Sequence, residues 1–105
     1  MSTLKTNPSL ADFQQYVGRL EIERGFAHQG PIEKCLLLGE EVGELFKAVR
    51  KSQNIGVDEN SKIDSVANEL ADILIYICSI ANRYDVDLEA AFRAKEEENK
   101  KRIWK

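Results

Sequence analysis

Leu36-Leu37-Leu38-Gly39-Glu40-Glu41-Val42-Gly43-Glu44-Leu45 and Glu69-Leu70-Ala71-Asp72-Ile73-Leu74-Ile75-Tyr76 decide how this chain is read. The two acidic groups are separated by 24 residues. Acids three or four positions apart share one face of a helix. Glu41 and Glu44 therefore point together, Glu40 reaches the same side, and Glu69 pairs with Asp72. Apolar residues crowd both groups, so the carboxylates cannot all be solvated surface charges. A carboxylate withdrawn from water needs a cation, a proton or a metal. If the two helices are antiparallel neighbours, the five acids gather in one pocket. Repulsion there would be severe without compensation. Mg²⁺, or Mn²⁺ in its place, suits oxygen ligands and would relieve it. Two other readings compete with this one. The acids could form surface ion pairs with Lys34, Lys47, Arg50 and Lys62. A di-iron bundle would use Glu-x-x-His motifs, but the single histidine, His28, falls in a predicted loop.

Four helices fit the pattern around these motifs. The first is expected over residues 10–24, with Ser9 and Asp12 as a near capping box and Gly25 as its stop. The second begins at Pro31, a favoured first helical position, and runs to Ser52. Its buried side is expected to hold Ile32, Leu36, Leu38, Val42, Leu45, Phe46 and Val49. Gly39 and Gly43 inside it cost about 1 kcal/mol each relative to alanine, which suggests a closely approaching neighbour. Residues 53–60 read as a polar, mobile connection. The third helix is expected over residues 62–84, capped by Ser61 with Asp64. From Leu70 to Ala81 it is apolar on nearly every face, so a second subunit is its expected cover. Asp85 or Asp87 opens a fourth helix over residues 88–102, where Leu88, Ala91, Phe92 and Lys95 form a narrow stripe.

The 105 residues fit one domain. The composition is 43% hydrophobic and 31% charged, which favours an ordered, soluble helical protein over a disordered one. A net charge of −3 provides no basic field for nucleic acid. No stretch has the length of a membrane span, and the first residues lack the apolar core of a signal peptide. Cys35 and Cys78 read as reduced core thiols of a cytoplasmic protein; spacing alone leaves a disulfide between them open.

The Glu-Glu-x-x-Glu motif, the spacer and the Glu-x-x-Asp motif together resemble the all-α nucleoside-triphosphate pyrophosphohydrolases of the MazG type, the integron-associated members among them. The likeness covers residues 10–102. It implies a four-helix bundle-like fold assembled as a homodimer or homotetramer. It also implies Mg²⁺-dependent cleavage of a nucleoside triphosphate to the monophosphate and pyrophosphate, in nucleotide-pool housecleaning. Glu41, Glu44, Glu69 and Asp72 become the metal ligands by this resemblance. Glu40 becomes a further ligand or the base that deprotonates the attacking water. Lys95, Asn99 and Arg102 resemble the family's nucleotide-contacting Lys-x-x-x-Asn-x-x-Arg pattern, and their spacing sets them on one helix face. His28 and Phe13 are weaker candidates near sugar or base, with a loop position and core packing as their alternatives; Trp104 lies close to the terminus.

A different class remains open on sequence alone: a non-catalytic helical dimer whose acids merely bind Mg²⁺ or a basic partner. Nucleic-acid binding is disfavoured by the charge balance and by the lack of a basic stripe with interleaved aromatics.

Overall fold

A computed structural model of the chain describes residues 1–56, 60 and 62–104. Among these residues lie α1 (Leu10–Glu23), α2 (Pro31–Ser52), α3 (Val66–Arg83) and α4 (Leu88–Lys100), with no strand. The fold is all-α, as the sequence predicts.

Local chemistry sets most of the helix ends. The Ser9 hydroxyl accepts from the Asp12 N–H at 3.2 Å while the Asp12 carboxylate accepts from the Ser9 N–H at 2.8 Å. That is a full capping box. Gly25, at φ +78°, turns the chain after α1 in the left-handed region that glycine enters without a Cβ penalty. Pro31 opens α2. The start of α3 differs from expectation. Its cap is Ser65, which accepts from the Asn68 N–H at 3.1 Å, and Asp64 accepts from the Asn68 amide at 2.8 Å. Ser61, the expected cap, lies outside the described residues, as do residues 57–59 of the polar connection. Asp87, not Asp85, caps α4.

α3 is the central element. It runs antiparallel to α2, packs against α1 on another side, and leaves α4 to lean on α1. Val17, Leu20 and Cys78 form the buried centre, with Phe13, Tyr16 and Leu88 packed around them. Phe13 is thus a packing residue. Gln14 ties α1 to the α3–α4 corner: its amide donates to the Val86 carbonyl at 2.7 Å and accepts from the Leu88 N–H at 3.0 Å.

The buried side expected for α2 needs correction. Leu36 is 68% exposed and Phe46 64%, and Ile32 and Val49 also face outward. The inward stripe of α2 is Lys34, Leu38, Glu41, Leu45 and Ala48, alternating steps of four and three, so Leu38 and Leu45 keep their expected place and share the face with two charged residues. Cys35 is exposed rather than in the core; Cys78 is fully buried, and both are free thiols. Among the described residues, a Cβ at Gly39 or Gly43 would meet nothing within 4 Å, so none of them requires these glycines. On α3, Leu70, Leu74 and Ile77 form an uncovered outer stripe.

The molecule is open. Its radius of gyration is 16.4 Å, against about 13 Å for a compact chain of this length. It exposes 8028 Å², where a monomer of its mass would expose about 6,000 Å².

Candidate metal centre and its adjoining cavity

Antiparallel packing of α2 on α3 brings Glu41 against Glu69 and Asp72. One carboxylate oxygen from each of the three lies within 4.8 Å of the others. Glu69 is only 5% exposed, and its Oε2 is buried without a hydrogen-bond partner. None of the three forms an ion pair among the described residues. Burial, the shared contact with Glu69, and the charges of Asp72, Glu69 and Glu44 push the Glu41 pKa up to about 7. A donor set of hard oxygens, one of them orphaned, could hold a divalent ion such as Mg²⁺.

The five expected acids do not all converge. Glu44 stands outside the three-oxygen group, 3.9 Å from Lys47 on the next turn, though its charge still bears on Glu41. Glu40 is exposed at the edge. Burial and the charges of Glu41, Asp72 and Glu40 raise the pKa of Tyr76, which keeps the phenol protonated beside the acids.

The other expected contacts lie elsewhere in the chain. Lys95 pairs with Glu98 at 3.3 Å on exposed α4. Asn99 is half-buried, with its Oδ1 unpartnered. Arg102 falls beyond the last turn of α4 and stacks over Trp104, 4.6 Å from its ring centre, so the shared helix face holds only Lys95 and Asn99. His28 is exposed in the α1–α2 loop. None of these lines the cavity that opens at the acidic group.

That cavity, of about 190 Å³, runs from Glu41 and Asp72 past Tyr76 to Lys34, Glu21 and Ser79. Sequence reasoning missed its inner end. Glu21 and Lys34 are each 4% exposed and pair at 3.2 Å. Arg83 grips Glu21 with two hydrogen bonds of 2.9 Å and donates to the Gln29 carbonyl at 2.6 Å and the Phe26 carbonyl at 3.2 Å. The α1–α2 loop is thereby fastened to the end of α3. Burial alone would raise the Glu21 pKa, but hydrogen bonds from Arg83, Ser79 and Lys34 outweigh it and hold the carboxyl below its usual range. The available signal was periodicity: Glu69, Asp72, Tyr76, Ser79 and Arg83 alternate steps of three and four along one ridge of α3.

Residues 29–103 match the sequence profile of the MazG nucleotide pyrophosphohydrolase domain. A Bacillus subtilis (strain 168) protein named uncharacterized protein YvdC is 33% identical over 102 residues, covering 90% of this chain and 95% of its own. Two crystal structures of iMazG from Vibrio DAT 722 are each 31% identical and cover 89% of this chain. The N-terminally tagged form gives a TM-score of 0.62 over 95% of its own length, and the C-terminally tagged form gives 0.63 over 99%.

Proposed function

The chain belongs to the MazG nucleotide pyrophosphohydrolase family, and on that premise we propose that it hydrolyses nucleoside triphosphates, deoxynucleotides included, to the monophosphate and pyrophosphate with Mg²⁺. The observation that carries this reading is the trio of carboxylates within 4.8 Å of one another, with a buried oxygen left unpartnered. Glu41, Glu69 and Asp72 would hold the ion, and Glu44, one helical turn from Glu41, would join them or bind a second one. Bound there, the ion would neutralise phosphate charge and acidify a water.

The chain's own groups do the rest. Glu40, at the solvent edge of the acids, accepts the proton of the attacking water. The Tyr76 phenol, kept protonated, donates a hydrogen bond inside the cavity. Lys95, Asn99, Arg102 and His28 contribute cations and amide groups to phosphate and sugar. Because none of them lines the cavity of its own chain, a second copy delivers them in this reading. Association as a homodimer or homotetramer has independent support. The surface excess of about 2,000 Å² over a compact monomer matches what two or three ordinary interfaces cover, at about 800 Å² per partner. The uncovered stripe of Leu70, Leu74 and Ile77 is a natural contact for it. The biological role is removal of canonical or non-canonical nucleotides from the cytoplasmic pool.

Product analysis tests the activity. Incubation with dNTPs and Mg²⁺ is expected to yield dNMP and pyrophosphate in equal amounts. Orthophosphate as the sole inorganic product, or no turnover with any nucleotide, would rule the activity out and favour a non-catalytic helical module.

A further inference from the structure

In the reading above, α4 carries Lys95, Asn99 and Arg102 toward the nucleotide, yet its hold on its own chain is at its first turn. None of its residues is buried; Leu88, the first of them, packs on the central cluster. From Leu88 to Asn99 the helix advances about 16 Å, so a tilt of about 10° at its base moves Asn99 by about 3 Å. That is more than a hydrogen bond tolerates. We propose that Gln14 of α1 is a positioning residue that sets the direction of α4 and thereby the reach of its nucleotide-contacting groups. The inference rests on the hydrolase reading and adds to it the residue that aims the helix.

Local bonds fix the α3–α4 corner as far as Val86. Asp85 takes a left-handed φ of +52°, and the Val86 N–H donates to the Ala81 carbonyl at 2.9 Å. Asp87 then caps α4 by accepting from the Ala90 N–H at 3.2 Å. A cap made within the helix starts it but does not aim it; direction needs a contact from outside. Gln14 supplies that contact on both sides of Asp87. Its Nε2 donates to the Val86 carbonyl at 2.7 Å, and its Oε1 accepts from the Leu88 N–H at 3.0 Å. A carbonyl only accepts and a backbone N–H only donates, so the amide has one orientation here. Its Nε2 also donates to Asn82 Oδ1 at 3.3 Å, and the Asn82 amide donates to the Gln14 backbone carbonyl at 2.9 Å. One side chain of α1 therefore grips α3, the corner and the first residue of α4 together. Ala11 and Gly18, one turn to either side of Gln14, line the same hollow, and their small size lets the corner lie close.

Gln14 is remote from the acids. Its partner Asn82 stands about 15 Å along α3 from Asp72, at roughly 1.5 Å per residue. The amide therefore acts on α4 and leaves the metal ligands alone. A shift of about 1 Å imposed from far away can cost about 100-fold where groups must meet a substrate.

Gln14→Leu keeps the side chain's bulk and removes its hydrogen bonds. The KM for dNTPs is expected to rise at least about fivefold with kcat within about twofold, since binding groups move while the acids stay. In a Lys95→Ala background the rise is expected to shrink to less than about half, because groups that act as a unit do not add. A merely structural role would cost the same in both backgrounds. Spin labels on the exposed Cys35 and on Glu97→Cys, diluted with unlabelled chain, read the distance from α2 to α4. Gln14→Leu is expected to shift or broaden that distance by about 3 Å or more, the displacement set by the tilt. Gln14→Met, which lacks the same bonds, takes its place if Gln14→Leu does not fold. An active enzyme with KM indifferent to the change, an equal rise in the Lys95→Ala background, or an unaltered distance overturns the role and leaves the hydrolase reading standing. A wild type that turns over no nucleotide overturns the hydrolase reading and the role with it.

Discussion

Arg83 and Glu21, 62 positions apart, meet as a bidentate pair with both hydrogen bonds at 2.9 Å. Such a pair fixes geometry as well as charge, and here it joins α1, α3 and the loop before α2. Removing one member of a buried ion pair typically costs about 3–5 kcal/mol, because the other is left uncompensated. Glu21→Gln strands two cations and is expected to fall in that range. Arg83→Met leaves Lys34 to pair with Glu21 and should cost less. Urea unfolding of the two variants measures the order, and an equal or reversed ranking would refute the account of the cluster.

Glu69 has the opposite character. Its buried Oε2 has no partner and its neighbours are acids, so Glu69→Ala should leave the metal-free protein as stable as the wild type or more so. The same change should cut pyrophosphate release by at least about 100-fold, since loss of partners that only support a ligand already costs roughly 10–100-fold. Thermal unfolding without metal and a pyrophosphate assay with Mg²⁺ check the two halves separately.

The raised Glu41 pKa of about 7 has a definite consequence for stability against pH. Between the ordinary carboxyl value of 4.5 and about 7, the folded chain holds a proton that the unfolded chain has lost. Stability of the metal-free protein should therefore decline as pH rises through that window. Mg²⁺ binds the ionised form, so it should raise Tm far more at pH 8 than at pH 5.5. A series of melting curves with and without Mg²⁺ reads this directly; a Mg²⁺ shift independent of pH would contradict it.

The outer stripe of α3 should hold the proposed assembly together. Leu74→Lys places a charge between Leu70 and Ile77, and sedimentation is expected to show a smaller species with retained helicity. An unchanged sedimentation coefficient would move the interface to another face, such as the exposed Leu36 and Phe46 side of α2.

Much of this architecture was legible before any coordinates. Ser9, Gly25 and Pro31 act within a few residues of themselves, so the ends of α1 and the start of α2 followed from local chemistry. The two acidic motifs gave the approach of Glu41 to Glu69 and Asp72, because helical spacing fixes which side chains share a face. The start of α3 did not follow: Ser61 and Ser65 offer the same capping oxygen, and Asn68 decides between them through Ser65 and Asp64. The inward face of α2 was only partly legible: Leu38 and Leu45 hold it as expected and the acidic motif brings Glu41 there, but a charged Lys34 joins them while Leu36 and Phe46 look out. Periodicity marks Ser79 and Arg83 on the α3 ridge, but the Glu21 cluster as a whole comes from three separate helices, and no local pattern links an acid on α1 with cations on α2 and α3.

The family profile begins at residue 29, yet the carboxylate that neutralises Lys34 and Arg83 sits upstream of it, on α1. The shared segment of this protein is thus not electrically self-sufficient. Grafting residues 1–28 from a relative would succeed only if the donor brings an acid to the place of Glu21, or if both basic partners are exchanged along with it.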